Sequence, residues 1–155
     1  MKHYDRLIFV SKSDTAMGPM AEAILEKKYL LEELVILSRG MVVLFPEPIN
    51  AKAQAVLISN DLNMQDHMSQ PLTKEDFEKR TLVLAITEEV KRKIISDLGV
   101  AEDQVYTLNE YTGDSLEIKD PYGGSLIDYG ICYQQLDALI TKLVVRLNEE
   151  ELLDK

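Results

Sequence analysis

The sequence has little cysteine, proline and glycine: one, five and seven residues, respectively, in a chain of 155. Its only cysteine, Cys132, cannot form a disulfide within the chain, which favours a reducing compartment. No apolar run approaches the roughly 18 residues that suggest a membrane span, and the run near the N-terminus is too short for a secretory signal. We therefore expect a soluble cytoplasmic protein.

Basic residues are also scarce, with 17 Lys and Arg against 27 Asp and Glu and a net charge of −10. Binding to nucleic acids or to anionic membranes depends on clustered basic side chains, so we expect neither partner. Cysteine and histidine do not occur at zinc-ligand spacing, so we expect no metal and no cofactor. The oligomeric state stays open between a monomer and a weak dimer.

Length and composition predict one domain over residues 1–155. No repeat, low-complexity tract or linker rich in proline and glycine divides the chain, and its hydrophobic content of 46% is ample for a core. Short apolar runs alternate with helical stripes, a pattern typical of α/β proteins.

The apolar runs predict strands at 7–10, 34–37, 82–86 and, more weakly, 105–108. Helices are predicted from Pro19, from Asn50, from Thr73, around Val90 and over 125–150. The order predicts a three-layer α/β/α fold with a four-stranded parallel sheet. Ligands of such folds bind beyond the carboxyl ends of the strands, where the loop 11–18 and the loop around Asp120 are placed.

Two segments are specific enough to suggest a family. One is the strand and loop followed by Pro19-Met20-Ala21-Glu22-Ala23, and the other is Asp120-Pro121-Tyr122-Gly123-Gly124-Ser125. Ser38-Arg39-Gly40 and Asp66-His67-Met68-Ser69 lie between them. With these segments in this order, nearly the whole chain resembles the low-molecular-weight protein tyrosine phosphatases, whose loop reads Cys-x-x-x-x-x-Arg-Ser/Thr-Pro.

The resemblance implies a two-step hydrolysis. A loop thiolate attacks phosphorus, loop amides and an arginine hold the phosphate, and an aspartic acid protonates the leaving group. In this chain Ser11 stands at the nucleophile position, Met17 at the arginine position and Asp120 at the acid position. A serine hydroxyl is hardly ionised near neutral pH, and methionine supplies neither charge nor donors. Each loss costs on the order of 3 kcal/mol or more of transition-state stabilisation.

The family's anion-binding loop corresponds to eight residues of this chain: Ser11, Lys12, Ser13, Asp14, Thr15, Ala16, Met17 and Gly18. Asp14 replaces a usual asparagine, Ala16 a frequent cysteine and Gly18 a hydroxyl residue. A serine for the nucleophilic cysteine is also a common engineered trap, but these other replacements are not its usual companions. We therefore favour a naturally degenerate loop, with an engineered Ser11 as the open alternative.

The surroundings of the loop match the family better. Ser38 and His67 correspond to residues that support the loop, and we predict a contact between Asp14 and His67. Tyr122 corresponds to an aromatic that forms a wall of the cleft.

Three functions follow. The first is a catalytically impaired pseudophosphatase that still binds phosphate, a phosphotyrosine-containing protein or another partner. The second is an active phosphomonoester hydrolase with non-standard loop chemistry and Asp120 as its acid. The third is a protein-interaction module without anion binding.

Overall fold

The computed structural model describes residues 4–29 and 33–153, with side chains described to residue 150. Four strands form one parallel sheet in the order β2-β1-β3-β4. The strands are β1 (Arg6–Ser11), β2 (Val35–Gly40), β3 (Thr81–Ala85) and β4 (Tyr106–Thr107). The sheet confirms the predicted four-stranded parallel architecture.

Within the described residues, five α-helices and two single 3₁₀ turns accompany the sheet. The helices are α1 (Met17–Lys28), α2 (Ala51–Ser59), α3 (Glu88–Leu98), α4 (Leu108–Thr112) and α5 (Leu126–Leu153). The 3₁₀ turns are Lys74–Asp76 and Glu102–Gln104. The helix predicted from Thr73 is therefore only one turn, although the predicted capping contact forms between Thr73 N and Asp76 Oδ2 at 2.9 Å.

The fourth strand is shorter than predicted. The apolar run suggested 105–108, but Leu108 already belongs to α4. Thr107 ends the strand because its side chain caps that helix, with its Oγ1 accepting from Glu110 N at 3.1 Å. The helix of residues 108–112 was not predicted.

β1 is buried on both faces, as its unbroken apolar run predicted. Leu7 and Phe9 pack into the core beneath α1, α2 and α5, whereas Ile8 and Val10 pack into a second core beneath α3. All four side chains have no solvent exposure. The helices therefore cover both sides of the sheet in three layers.

Parallel strands end at the same edge, and three of the following helices, α1, α3 and α4, begin there. α1 begins after the loop that follows β1. Thr87 caps α3, accepting from Val90 N at 3.3 Å, and Thr107 caps α4. The candidate site lies at this edge.

Cys132 lies in the core between α5 and the sheet, with 1% of its surface exposed. Burial, together with the nearby Asp120 carboxylate, raises the pKa of its thiol to about 12. We expect native protein to react very slowly with a thiol reagent such as DTNB, because the thiolate is the reactive form. The same protein in denaturant should release one equivalent quickly, and fast labelling of native protein would contradict this burial.

Candidate active site

The loop between β1 and α1 turns through Asp14, whose φ of +58° lies in the left-handed region. Aspartate and asparagine tolerate this region better than most side chains do. Asp14 N donates to Ser11 Oγ at 3.2 Å across the loop. The loop is anchored to the segment after β2, because Lys12 O accepts from Val42 N at 2.8 Å and Thr15 O accepts from Asn50 N at 2.7 Å.

Three amides of the loop backbone have no hydrogen-bond partner in the described part of the chain. Within residues 4–29 and 33–153, no acceptor contacts the amides of Ser13, Thr15 and Ala16. Free amides next to a helix N-terminus are suited to an anion. In its backbone, the loop thus retains donors of the kind that a phosphate site needs.

The side chain of Asp14 lies behind the loop, fully buried. Its Oδ2 accepts from Gln70 N at 3.0 Å. Its Oδ1 has no hydrogen-bond partner among the described residues. Burial raises the pKa of this carboxyl, and the nearby Ser38 hydroxyl, the Gln70 amide and His67 offset only part of that effect.

His67 makes the predicted contact with Asp14. Its Nε2 lies 2.7 Å from the backbone oxygen of Asp14 and 3.6 Å from Oδ1. Because a carbonyl oxygen only accepts, Nε2 carries the proton in this contact. His67 therefore holds the backbone of the loop at Asp14 more directly than it pairs with the carboxylate.

Gly18 lies where Ser11, Asp14 and Ser38 converge behind the loop. A Cβ added at Gly18 would lie 3.0 Å from Ser11 Oγ, 3.2 Å from Asp14 Oδ1 and 3.3 Å from Ser38 Cβ. Ser38 is buried, and its hydroxyl has no hydrogen-bond partner in the described part of the chain. The residues of the supporting frame are thus brought together, but Gly18 has no hydroxyl that could bond to them.

Ser11 and Met17 are both inside the protein, at 3% and 4% exposure. Ser11 ends β1, and its Oγ accepts from Asp14 N. Met17 begins α1, joins the core beneath that helix and also lines the cleft. The floor of the cleft at the arginine position is therefore an uncharged thioether.

A cleft of about 450 Å³ opens beside the loop, at the carboxyl ends of β3 and β4. Its charged lining consists of Lys12, Glu88, Glu89, Lys93, Glu110, Glu117 and Asp120. Sequence reasoning identified Lys12 and Asp120 but missed the other five. The signal available for Glu88, Glu89 and Glu110 was their position in the turn after a predicted strand end.

Asp120 lines this cleft together with Lys12 and Met17, and its role as the acid stays a prediction. Its Oδ1 accepts from Tyr122 N at 2.9 Å, which shapes the loop into a turn. Tyr122 itself is 89% exposed and lines a neighbouring cavity of about 370 Å³ that Asp120 also borders. Its role as a cleft wall stays a prediction.

A second perturbed carboxyl, which the sequence did not indicate, lies on α1. Burial and repulsion from Glu26 raise the pKa of Glu22 to about 7. Glu22 also faces the segment that carries His67, with which it lines a separate hollow. The back of the loop therefore holds two carboxyls, Asp14 and Glu22, whose pKa values are both raised by burial.

No group of His, Cys, Asp or Glu side chains suited to a metal ion occurs among the described residues. The helices within the same part of the chain include none that is long and apolar enough to cross a membrane.

We expect Asp14→Asn to raise the free energy of unfolding at pH 8 by on the order of 1 kcal/mol, because the amide keeps the acceptor for Gln70 N and removes a buried charge. A raised folded-state pKa makes the carboxylate costly once the pH rises through that value. The gain should therefore shrink at pH 4. Urea unfolding at both values measures it, and a variant less stable than the parent at pH 8 would contradict the prediction.

The Glu22 carboxyl should make stability depend on pH between its usual pKa of 4.5 and its folded value of about 7. The neutral form is favoured in the folded chain, so this contribution is fully present below pH 4.5 and is lost as the pH rises through 7. We expect a loss on the order of 1–2 kcal/mol after allowance for partial solvent screening. In Glu22→Gln the difference should disappear, whereas the exposed-site control Glu75→Gln should keep the parental pH profile.

The comparisons with known proteins agree with the geometry. The family described as low molecular weight phosphotyrosine protein phosphatase matches residues 6–153. A protein-arginine-phosphatase of Bacillus subtilis is 35% identical over 147 residues, 93% of this chain and 97% of that protein. The low molecular weight protein-tyrosine-phosphatase PtpB of Staphylococcus epidermidis is 33% identical over 138 residues, 89% of this chain and 96% of that protein.

Solved structures give the same result. The YwlE arginine phosphatase from Geobacillus stearothermophilus superposes with a TM-score of 0.87 at 32% identity, covering 95% of each chain. A YwlE cysteine-to-serine mutant with a phosphorylated active-site serine superposes with a TM-score of 0.84 at 32% identity, covering 94% of this chain and 97% of that one. The chain belongs to the low-molecular-weight phosphotyrosine protein phosphatase family.

Proposed function

We propose that this chain is a pseudophosphatase, a family member that binds a partner in its cleft and does not turn over phosphomonoesters. The observation that carries the proposal is the joint placement of Ser11 and Met17. Both are buried at the two ends of the loop, where the family's chemistry needs a thiolate and an arginine.

Among the described residues, no base forms a hydrogen bond with the Ser11 hydroxyl. Its Oγ accepts a hydrogen bond from Asp14 N, and Asp14 Oδ1, though close to Gly18, has no hydrogen-bond partner among the described residues. A serine hydroxyl attacks phosphorus effectively only when a neighbouring group takes its proton. The geometry therefore supports a Ser11 that holds the loop closed and stays un-ionised.

Met17 leaves the cleft without a replacement for the lost cation. Lys12 is exposed at the rim, and the carboxylates of Glu89, Glu117 and Asp120 also line the cleft. A phosphate with about two negative charges would meet this field without a guanidinium to counter it. The loss of a bidentate clamp and the excess of carboxylates both oppose stabilisation of the transition state.

The alternative is an active hydrolase that uses Asp120, because this carboxyl lines the cleft together with Lys12 and Met17. The YwlE structure with serine in place of cysteine carries a phosphorylated serine, which raises a partial form of this activity, phosphoryl transfer to the serine without hydrolysis. In that form Ser11 would accept a phosphoryl group and keep it.

The buried Asp14 carboxyl supports a third function instead, the interaction module without anion binding. A cytoplasmic location suits all three, since a single cysteine cannot form a disulfide within the chain.

We expect no hydrolysis of p-nitrophenyl phosphate or of a phosphoarginine peptide above the Asp120→Ala level between pH 5 and 8. The double variant Ser11→Cys/Met17→Arg should gain activity by at least about 100-fold, and Asp120→Ala should remove that gain. Each single variant should stay near the parent, because the two groups act as a unit.

Parental turnover that disappears with Asp120→Ala would show a working hydrolase and overturn the proposal. The intact mass of the protein after incubation with the phosphoarginine peptide tests the partial form. A stable gain of one phosphoryl group that Ser11→Ala abolishes would assign phosphoryl acceptance to Ser11.

A further inference from the structure

The charges that line the cleft are not evenly balanced. Two of its glutamates are neutralised locally, with Glu88 Oε1 2.7 Å from Arg92 Nε and Glu110 Oε1 2.9 Å from Lys91 Nζ. Lys91 is almost fully buried, so its pair with Glu110 is part of the fold. These two carboxylates are therefore less available to a charged ligand than the other three in the lining.

The remaining acids have no such partner. Of the two cleft lysines, Lys93 lies 2.9 Å from Asp97, outside the lining, and is neutralised there. Among the described residues, no ion pair involves the four charged groups Glu89, Glu117, Asp120 and Lys12. Three unpaired carboxylates therefore face one unpaired lysine, and a ligand entering the cleft meets net negative charge.

The helix ends beside the cleft do not reverse this sign. The first turn of α3 carries Glu88 and Glu89, and that of α4 carries Glu110. Acidic side chains in a first turn already satisfy the partial positive charge of the helix N-terminus. The loop before α1 adds the buried carboxyl of Asp14, so the amides there are also opposed from behind.

The neutral part of the lining has five apolar side chains beside the polar Thr87, Thr107 and Asn109. The apolar ones are Met17, Met41, Ile86, Val90 and Ile118. Such a lining suits the aliphatic stem of a lysine or arginine, whose charged end can still reach carboxylates at the wall. The cleft thus offers apolar side chains and unpaired carboxylates, the two kinds of contact that a long basic side chain requires.

Exposed apolar side chains lie on both segments that flank the loop. Leu44 and Phe45 are 89% and 63% exposed in the segment after β2. A hydrogen bond from Val42 N to Lys12 O links this segment to the loop. Tyr122 is 89% exposed in the loop before α5, and Ile127 is 74% exposed in the first turn of that helix. Lys52 Nζ, on α2, donates to Gly124 O of the same loop at 2.6 Å. These four side chains lie outside the cleft lining, and exposed apolar groups on neighbouring segments favour a protein segment as the partner.

We propose that this cleft receives an unphosphorylated arginine or lysine side chain, presented by a segment of another protein with apolar residues on either side. The inference rests on the proposed function, since it names the partner of a cleft that no longer hydrolyses phosphate. A second copy of this chain is a poor occupant, because its net charge of −10 adds to the repulsion. A phosphorylated side chain is opposed by the same unpaired carboxylates.

Isothermal titration calorimetry at physiological salt tests the proposal with two peptides of identical length. One carries an arginine between leucine and phenylalanine, and the other carries the isosteric, neutral citrulline in its place. We expect the arginine peptide to bind at least about tenfold more tightly than the citrulline peptide. The double variant Glu89→Gln/Glu117→Gln should lose this preference while keeping its fold by circular dichroism.

The matched control is Asp61→Asn/Glu75→Gln, which removes two exposed charges away from the cleft and should keep the preference. Equal affinity for both peptides, or binding of neither, would overturn the inference. So would an equal loss in the two charge variants, which would indicate general attraction to an acidic chain. Tighter binding of a phosphoarginine peptide than of the arginine peptide would show an anion site in the cleft and would also overturn the inference. The turnover assay tests the proposed function separately, because a catalytically silent protein can still fail every binding arm.

Discussion

The placement of β1 between two other parallel strands is the constraint on which the rest of the site depends. Residues 6–11 pair with β2 on one side, and residues 6–10 pair with β3 on the other. Because its apolar side chains are buried on both faces, the strand cannot slide or turn over without exposing its core residues. Ser11, the last residue of β1, is therefore held in place, and the loop must start at the edge where the following helices begin.

Within that frame, the backbone contacts of Asp14 do not depend on its charge, but its buried carboxyl changes the electrostatics of the loop. The left-handed Asp14, its amide bond to Ser11 Oγ and the His67 contact with its backbone oxygen are features that an asparagine could provide equally well. What differs is a buried carboxyl whose Oδ1 has no partner among the described residues. The free amides of the loop and this carboxyl act on an anion in opposite directions. The free backbone amides of the loop are thus weak support for anion binding.

The sequence predicted the parts of the structure that depend on short-range patterns. The buried run of β1, the cap at Thr73 and the turn at Asp120 are each encoded within a few residues, and the Asp14–His67 contact followed from the family resemblance. The acidic lining of the cleft was missed because its members come from α3, α4 and the loop after α4. They meet only through the strand order of the sheet. Glu22 was missed for a similar reason, since its burial depends on the distant segment around His67.

The burial of Cys132 has a consequence for how sensitive the protein is to oxidation. A thiolate nucleophile is also the group that peroxide attacks first, so an enzyme that depends on one is open to oxidative inactivation. This chain has Ser11 in its loop, and its only sulfhydryl is packed between α5 and the sheet. Its cleft therefore offers no thiol to oxidants, and peroxide that inactivates thiol-dependent phosphatases would find no nucleophile to oxidise here.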